Sequence, residues 1–205
     1  MESIYSNIDY VKVFNKSDEI IEIEGFPFIK KNKSIVFPKM CQKHIVDDLS
    51  SILKKIEVYE KWEIKVLLTN DTHTLLSVLN LALKLKVNYT IDPMTWSIEK
   101  LSSRNARSKF RRSLKNHRTI LQSKLNQEQL PLLSVSTKKY NVQEFINEST
   151  LDSLSQKFDC KVFVSYDQLG IHVGFAFCII YNNRMYYLWG AGEVVTQVQL
   201  LQRSC

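Results

Sequence analysis

The densest reactive chemistry in the chain lies in residues 100–127. There Lys100, Arg104, Arg107, Lys109, Arg111, Arg112, Lys115, Arg118 and Lys124 occur without one acid. Taking these nine from the 28 basic residues leaves 19 against 21 acids, so the net charge of +7 is a local property. Local positive potential points to a polyanionic or phosphate-bearing partner. Five of the nine are Arg, whose planar guanidinium grips phosphate oxygens in pairs. Exposed helices usually interleave charges of both signs, because opposite charges four residues apart support the helix. An acid-free run therefore weighs toward a ligand over plain solvation. Coenzyme A, a nucleotide-linked substrate and tRNA all carry the required phosphates.

A second cluster lies near the end of the chain. Tyr186, Tyr187 and Trp189 run into Gly190-Ala191-Gly192. One face of the aromatic segment is expected to pack in a core, leaving the other free to line a channel. Small residues at a strand-to-helix junction bare backbone N–H groups that can hold a phosphate with help from the helix dipole. An ordinary tight turn has the same composition. No side chain stands out as catalytic. His44, His73, His117 and His172 are scattered, and no two have metal-ligand spacing. Cys41, Cys160, Cys178 and Cys205 form no CxxC pair, so no metal site is expected. Neither a Ser-His-Asp order nor a phosphate-loop lysine motif is present.

These groups must be positioned by elements that the hydrophobic pattern outlines. Short strands are predicted over residues 10–14, 20–23 and 35–37, punctuated by Gly25, Pro27, Asn32 and Pro38. Ile45, Leu49, Ile52, Leu53 and Ile56 predict an amphipathic helix over 42–58. A strand over 63–68, a helix over 74–86 and a strand over 88–92 follow. Ser102 and Ser103 are good N-caps for a long helix ended by Pro131. Its apolar stripe would be Ala106, Phe110, Leu114, Leu121 and Leu125, docked inward. Its cationic stripe would be Arg104, Arg107, Arg111, Lys115 and Arg118. A strand over 132–136 and a helix over 142–158 come next. Strands at 161–166 and 171–181 lead into a hairpin at Asn182-Asn183, because Asn tolerates positive φ. The return strand covers 185–189 and a helix covers 194–203. The run from Val173 to Ile180 lacks polar alternation, so it belongs in mid-sheet, and Cys178 within it reads as a small hydrophobe. The best boundary between halves is residues 93–100, dividing the chain into 1–95 and 96–205. The longest apolar run is too short to span a bilayer. No signal peptide is visible at Met1–Tyr5, and the cysteine usage fits a reducing cytoplasm.

The segment from Trp96 through Leu101, Ser102, Arg107, Phe110, Arg111, Arg112 and Lys115 resembles the basic helix of FemAB-like acyltransferases. Gly174-Phe175-Ala176-Phe177 and the stretch Asn182 to Ala191 resemble that family's hairpin before its ligand-binding helix. Gly25 to Lys31 and Phe37-Pro38 look like its early strands. The resemblance implies an α/β (mixed α+β) fold: a GNAT-like mixed sheet flanked by helices, with one and a half tandem units. The half at 1–95 would be one GNAT-like unit. The half at 96–205 would carry the basic helix and the hairpin of an incomplete second unit, because family members continue beyond the equivalent of Cys205. The implied activity is transfer of an acyl or aminoacyl group from a thioester or tRNA ester to an amine. Arg104, Arg107, Arg111, Lys115, Tyr187 and Trp189 would bind substrate. Gly190 and Gly192 would bind the co-substrate acyl-CoA, no tightly held cofactor being implied. The family's phosphate loop is absent, and Trp189-Gly190-Ala191-Gly192 replaces it only in part. Two alternatives remain open at this stage: a nucleic-acid-binding module using the basic helix, and an inactive remnant.

Overall fold

The computed structural model describes Ile4 and residues 7–16, 18–37, 49–64, 95, 97–101 and 103–192. The helices expected at 74–86 and 194–203 and the strand expected at 88–92 lie outside these residues, as do 42–48 of the first predicted helix and 65–68 of the strand after it.

The described residues form two four-stranded sheets. The first contains β1 (Glu19–Ile23), β2 (Phe26–Lys31), β3 (Ser34–Val36) and β4 (Lys61–Glu63), in that order. Its first two pairings are antiparallel and its last is parallel. Glu24 and Gly25, both at positive φ, close the β1–β2 hairpin. Helix α2 (Leu49–Ile56) buries Ile52, Leu53 and Ile56 against Phe26, Phe28, Ile35 and Phe37, as its periodicity requires. Pro27 sits inside β2, and β3 begins pairing only at Ile29, beyond it.

Helix α1 (Ile8–Phe14) occupies residues expected to form a strand. Tyr, Val and Phe favour strands in isolation. Here the side-chain oxygen of Asn7 accepts the amides of Asp9 (2.9 Å) and Tyr10 (3.2 Å), and this cap sets the helical start. The helix buries Tyr10, Val11 and Val13. Its core is that of the second sheet: Tyr10 and Val13 pack with residues of the sheet at 118–192 although they belong to the first 95.

The second sheet runs β5 (Arg118–Gln122), β6 (Asp159–Tyr166), β7 (His172–Tyr181) and β8 (Arg184–Gly192), antiparallel throughout. Asn182 and Asn183, at φ of 50° and 58°, make the expected hairpin between β7 and β8. One face of this sheet carries Val162, Val164, Phe175 and Phe177. Against it lie α1, α4 (Leu130–Lys139) and α5 (Glu148–Lys157). Asn147 caps α5 by accepting the amide of Thr150 at 3.0 Å.

The basic segment departs most from expectation. Helix α3 covers only Arg104–Asn116. His117 is extended, and Arg118 to Gln122 pair residue for residue with Tyr166 back to Val162. The β-branched pair Thr119-Ile120 and a free edge on β6 outweigh continued helix in a run that offers no opposite-charge support. Leu121 and Leu125 thus leave the helix, and the apolar stripe shrinks to Ala106, Phe110 and Leu114. No residue of α3 is buried, so the expected docked stripe is corrected to an exposed one. Pro131 does not end a helix; it sits in the first turn of α4, where its missing N–H costs nothing. That helix replaces the strand expected at 132–136.

Candidate functional site

Strand alternation gives the second sheet a second face, turned away from its helical core. Cross-strand pairing arranges that face in rows. Thr119, Ser165, Gly174 and Gly192 form one row. Leu121, Phe163, Ala176 and Gly190 form the next, and Lys161, Cys178 and Tyr187 a third. The first two rows become smaller toward β7 and β8, and the smallness has steric causes. A Cβ on Gly174 would lie 2.9 Å from the carbonyl oxygen of Ala191, and one on Gly190 would lie 2.9 Å from that of Phe175.

An open groove of about 440 Å³ lies on this face. Ser113 and His117 from the end of α3 form one wall. Thr119, Phe163, Ser165 and Ala176 contribute side chains, and Val173 to Phe175 and Ala191 complete the lining. The Thr119 and Ser165 hydroxyls are 3.2 Å apart. His117 Nδ1 lies 3.2 Å from the Ser113 carbonyl oxygen and 3.3 Å from its hydroxyl. A neighbouring groove of about 570 Å³ shares His117 and adds Lys115, Arg118, Ile120, Tyr166 and the turn at Asp167. The two grooves share His117 but lie on opposite sides of β5, since Arg118, Ile120 and Tyr166 alternate to the face away from Thr119 and Ser165.

The residues expected to bind ligand are distributed unevenly around these grooves. Lys115 lines the second groove beside Arg118. Arg107 is half-buried and donates to the Leu101 carbonyl, and Arg111 pairs with Glu99, so both are engaged near the start of α3. Arg104 is exposed at the first position of the helix. Tyr187 and Trp189 are separated by the sheet. A register shift opposite Phe177 and Cys178 leaves Leu188 without a partner residue in β7. This bulge puts Tyr187 on the groove-side face, with its ring over Gly190. It also puts both Leu188 and Trp189 on the core side. The Trp189 indole donates to Ser136 on α4 at 3.0 Å and meets the Tyr140 ring edge-on. Burial holds the Tyr187 phenol above its usual range. Gly190 and Gly192 are strand residues in β8, not the turn into a helix expected at 190–192. They pair with Ala176 and Gly174, which line the groove, but do not line it themselves.

Sequence marks His117 only as one of four scattered histidines, and it does not point to Ser113, Thr119 or Ser165. Ser and Thr are too common to signal a site, and the strand that brings Thr119 and Ser165 together was read as helix. His172, by contrast, is satisfied locally, its Nε2 lying 3.1 Å from the Gly174 carbonyl. Cys178 packs as a small hydrophobe, with its thiol pushed up by burial. Among the described residues no cluster of His, Cys, Asp and Glu could hold a metal ion. Among them, too, no helix is long and apolar enough to cross a membrane.

No family model matches the chain, and no curated protein matches it. Among solved structures the chain is similar to L-PGS from Bacillus licheniformis, at 12% identity and a TM-score of 0.54. The likeness covers 99% of this chain and 74% of that one. L-PGS, a lysyl-phosphatidylglycerol synthase, has a FemX/GNAT-like fold, and the likeness shows an acyl-CoA N-acyltransferase-like fold for this chain.

Proposed function

We propose that the chain is an acyltransferase that moves an acyl or aminoacyl group from a thioester or tRNA ester to an amine, in the groove beside His117. The carrying observation is the small-residue face of β7 and β8 opening onto that groove. Gly174 and Ala176 raise no bulky side chain on the groove side, so a planar acyl group could lie against the strands there. A carbonyl so placed would lie in the groove that the Thr119 and Ser165 hydroxyls line, and hydroxyls can donate to a developing oxyanion. The groove on the other side of β5, reached past His117, suits the phosphates of the donor, because Lys115 and Arg118 both line it. Tyr187, lying over Gly190, is suited to cover an acyl chain. The name of the structural relative describes a protein that makes an aminoacylated phospholipid, which keeps aminoacyl donors beside acyl-CoA in this reading. Donors of both kinds point to the cytoplasm as the place of action.

The test is direct. Labelled acetyl-CoA and aminoacyl-tRNA are offered with a panel of primary amines, and transfer is followed together with the thermal shift caused by each donor. Transfer to an amine, with a higher melting temperature on donor binding, supports the reading. A folded protein that neither transfers from nor is stabilised by any donor refutes it.

A second reading has one observation in its favour. Helix α3 buries nothing, so Arg104, Lys109, Arg112 and Lys115 stand exposed along it. A nucleic acid bound there would dissociate steeply with salt, as counterions return to the phosphates. Weak, salt-insensitive binding to tRNA and duplex DNA rules this reading out.

A further inference from the structure

We infer that His117 is the proton acceptor for the attacking amine, an assignment that rests on the acyl-transfer reading. Among the described residues lining the first groove, only His117 has a side-chain nitrogen. The rest are hydroxyl, apolar or glycine positions. The second groove supplies no substitute. Lys115 and Arg118 are cations. The Asp167 carboxylate already accepts the amides of Leu169 at 2.9 Å and Ile171 at 2.8 Å. The Tyr166 hydroxyl donates to Glu128 at 3.0 Å.

The imidazole also has an anchor. In the tautomer that this role requires, Nδ1–H donates to the Ser113 carbonyl oxygen at 3.2 Å, with the Ser113 hydroxyl 3.3 Å from the same nitrogen. That tautomer leaves the lone pair on Nε2, the nitrogen on the far side of the ring from Ser113. The anchor is firm because Ser113 is in the last turn of α3, and the amide of His117 itself closes that turn on the same carbonyl at 2.9 Å. The Thr119–Ser165 hydroxyl pair lines the same groove and can orient an amine by accepting from it.

In the step so assigned, the amine nitrogen attacks the acyl carbon and the C–N bond forms. One nitrogen proton passes to Nε2. The C–S bond of a thioester, or the C–O bond of a tRNA ester, breaks with its electron pair on the leaving atom. The imidazolium then returns its proton to that sulfur or oxygen, and His117 is neutral again.

Two variants test this, His117→Ala and His117→Gln. The side chain is exposed, so both should unfold at the wild-type urea midpoint. With labelled acetyl-CoA or aminoacyl-tRNA and primary amines, kcat/KM should fall by about 100-fold or more in each, the usual scale for losing a general base. The acid limb of the wild-type pH profile should vanish in both. Free imidazole should restore part of the rate to His117→Ala, whose open groove admits it, and should do nothing for the wild type. Rates or an acid limb unchanged in the variants overturn the assignment alone. A rate loss with the acid limb kept and no rescue also overturns it, in favour of a structural role. Wild-type protein that transfers from neither donor overturns the acyl-transfer reading and this assignment together.

Discussion

Replacing Gly174 with alanine should loosen the β7–β8 pairing, while the same change at Gly192, its partner across the strands, should not. The two glycines face each other in one register. A methyl on Gly174 would meet the Ala191 carbonyl oxygen at 2.9 Å and the Gly192 Cα at 3.3 Å. Relaxed carbon–oxygen contacts fall at about 3.3–3.6 Å. Both obstructing atoms are backbone, so relief requires the strands to part by roughly half an ångström, since no side chain can swing aside. Overpacking of this kind costs about 1–3 kcal/mol. The entropy gained on replacing glycine offsets some 0.5–1 kcal/mol of it. At Gly192 the nearest atom to an added methyl is the Val173 carbonyl oxygen at 3.7 Å, an ordinary contact, so only the favourable entropy remains. The two variants should therefore differ by about 2 kcal/mol. With a urea slope near 2 kcal/mol/M, their midpoints should lie about 1 M apart, with Gly192→Ala at or above wild type. Equal midpoints, or a lower midpoint for Gly192→Ala, would refute the claim that close backbone approach is what keeps position 174 small.

Two further expectations follow from the same sheet. Ser136→Ala removes the acceptor of the half-buried Trp189 indole and should cost about 1–2 kcal/mol, with a shift in tryptophan emission; an unchanged urea midpoint would show that water replaces the hydroxyl. Burial pushes the Cys160 thiol up to about 11, so the folded state keeps it neutral where the unfolded chain ionises it. Its effect on stability is therefore absent below about pH 8.5 and grows as an increasing loss from there toward pH 11. Cys160→Ala should show a smaller drop in urea midpoint between pH 8 and 10 than wild type; equal drops would mean that other groups cause the alkaline loss.

Local sequence was enough wherever a short-range rule dominated. Asn182-Asn183 determined the β7–β8 hairpin, because both positions need positive φ and Asn tolerates it. The spacing of Ile52, Leu53 and Ile56 determined the buried face of α2. The unbroken apolar run before the hairpin determined that β7 lies inside its sheet, between β6 and β8. The acid-free character of residues 100–127 is a property of sequence alone. What that stretch becomes is not: pairing with β6 ended the helix at Asn116 and made strand of the residues that would have completed its apolar stripe. Helix α1 depended likewise on one cap and on a distant core. Most of the candidate site belongs to this second class. Thr119 and Ser165 meet across strands 46 residues apart, and a bulge at Leu188 sends Tyr187 and Trp189 to opposite faces. Hairpins and helical stripes arise from contacts a few residues apart, which composition and spacing encode. The joining of His117, Lys115 and the β7–β8 face depends on strand register and on a one-residue bulge, and those are settled only when the whole sheet assembles.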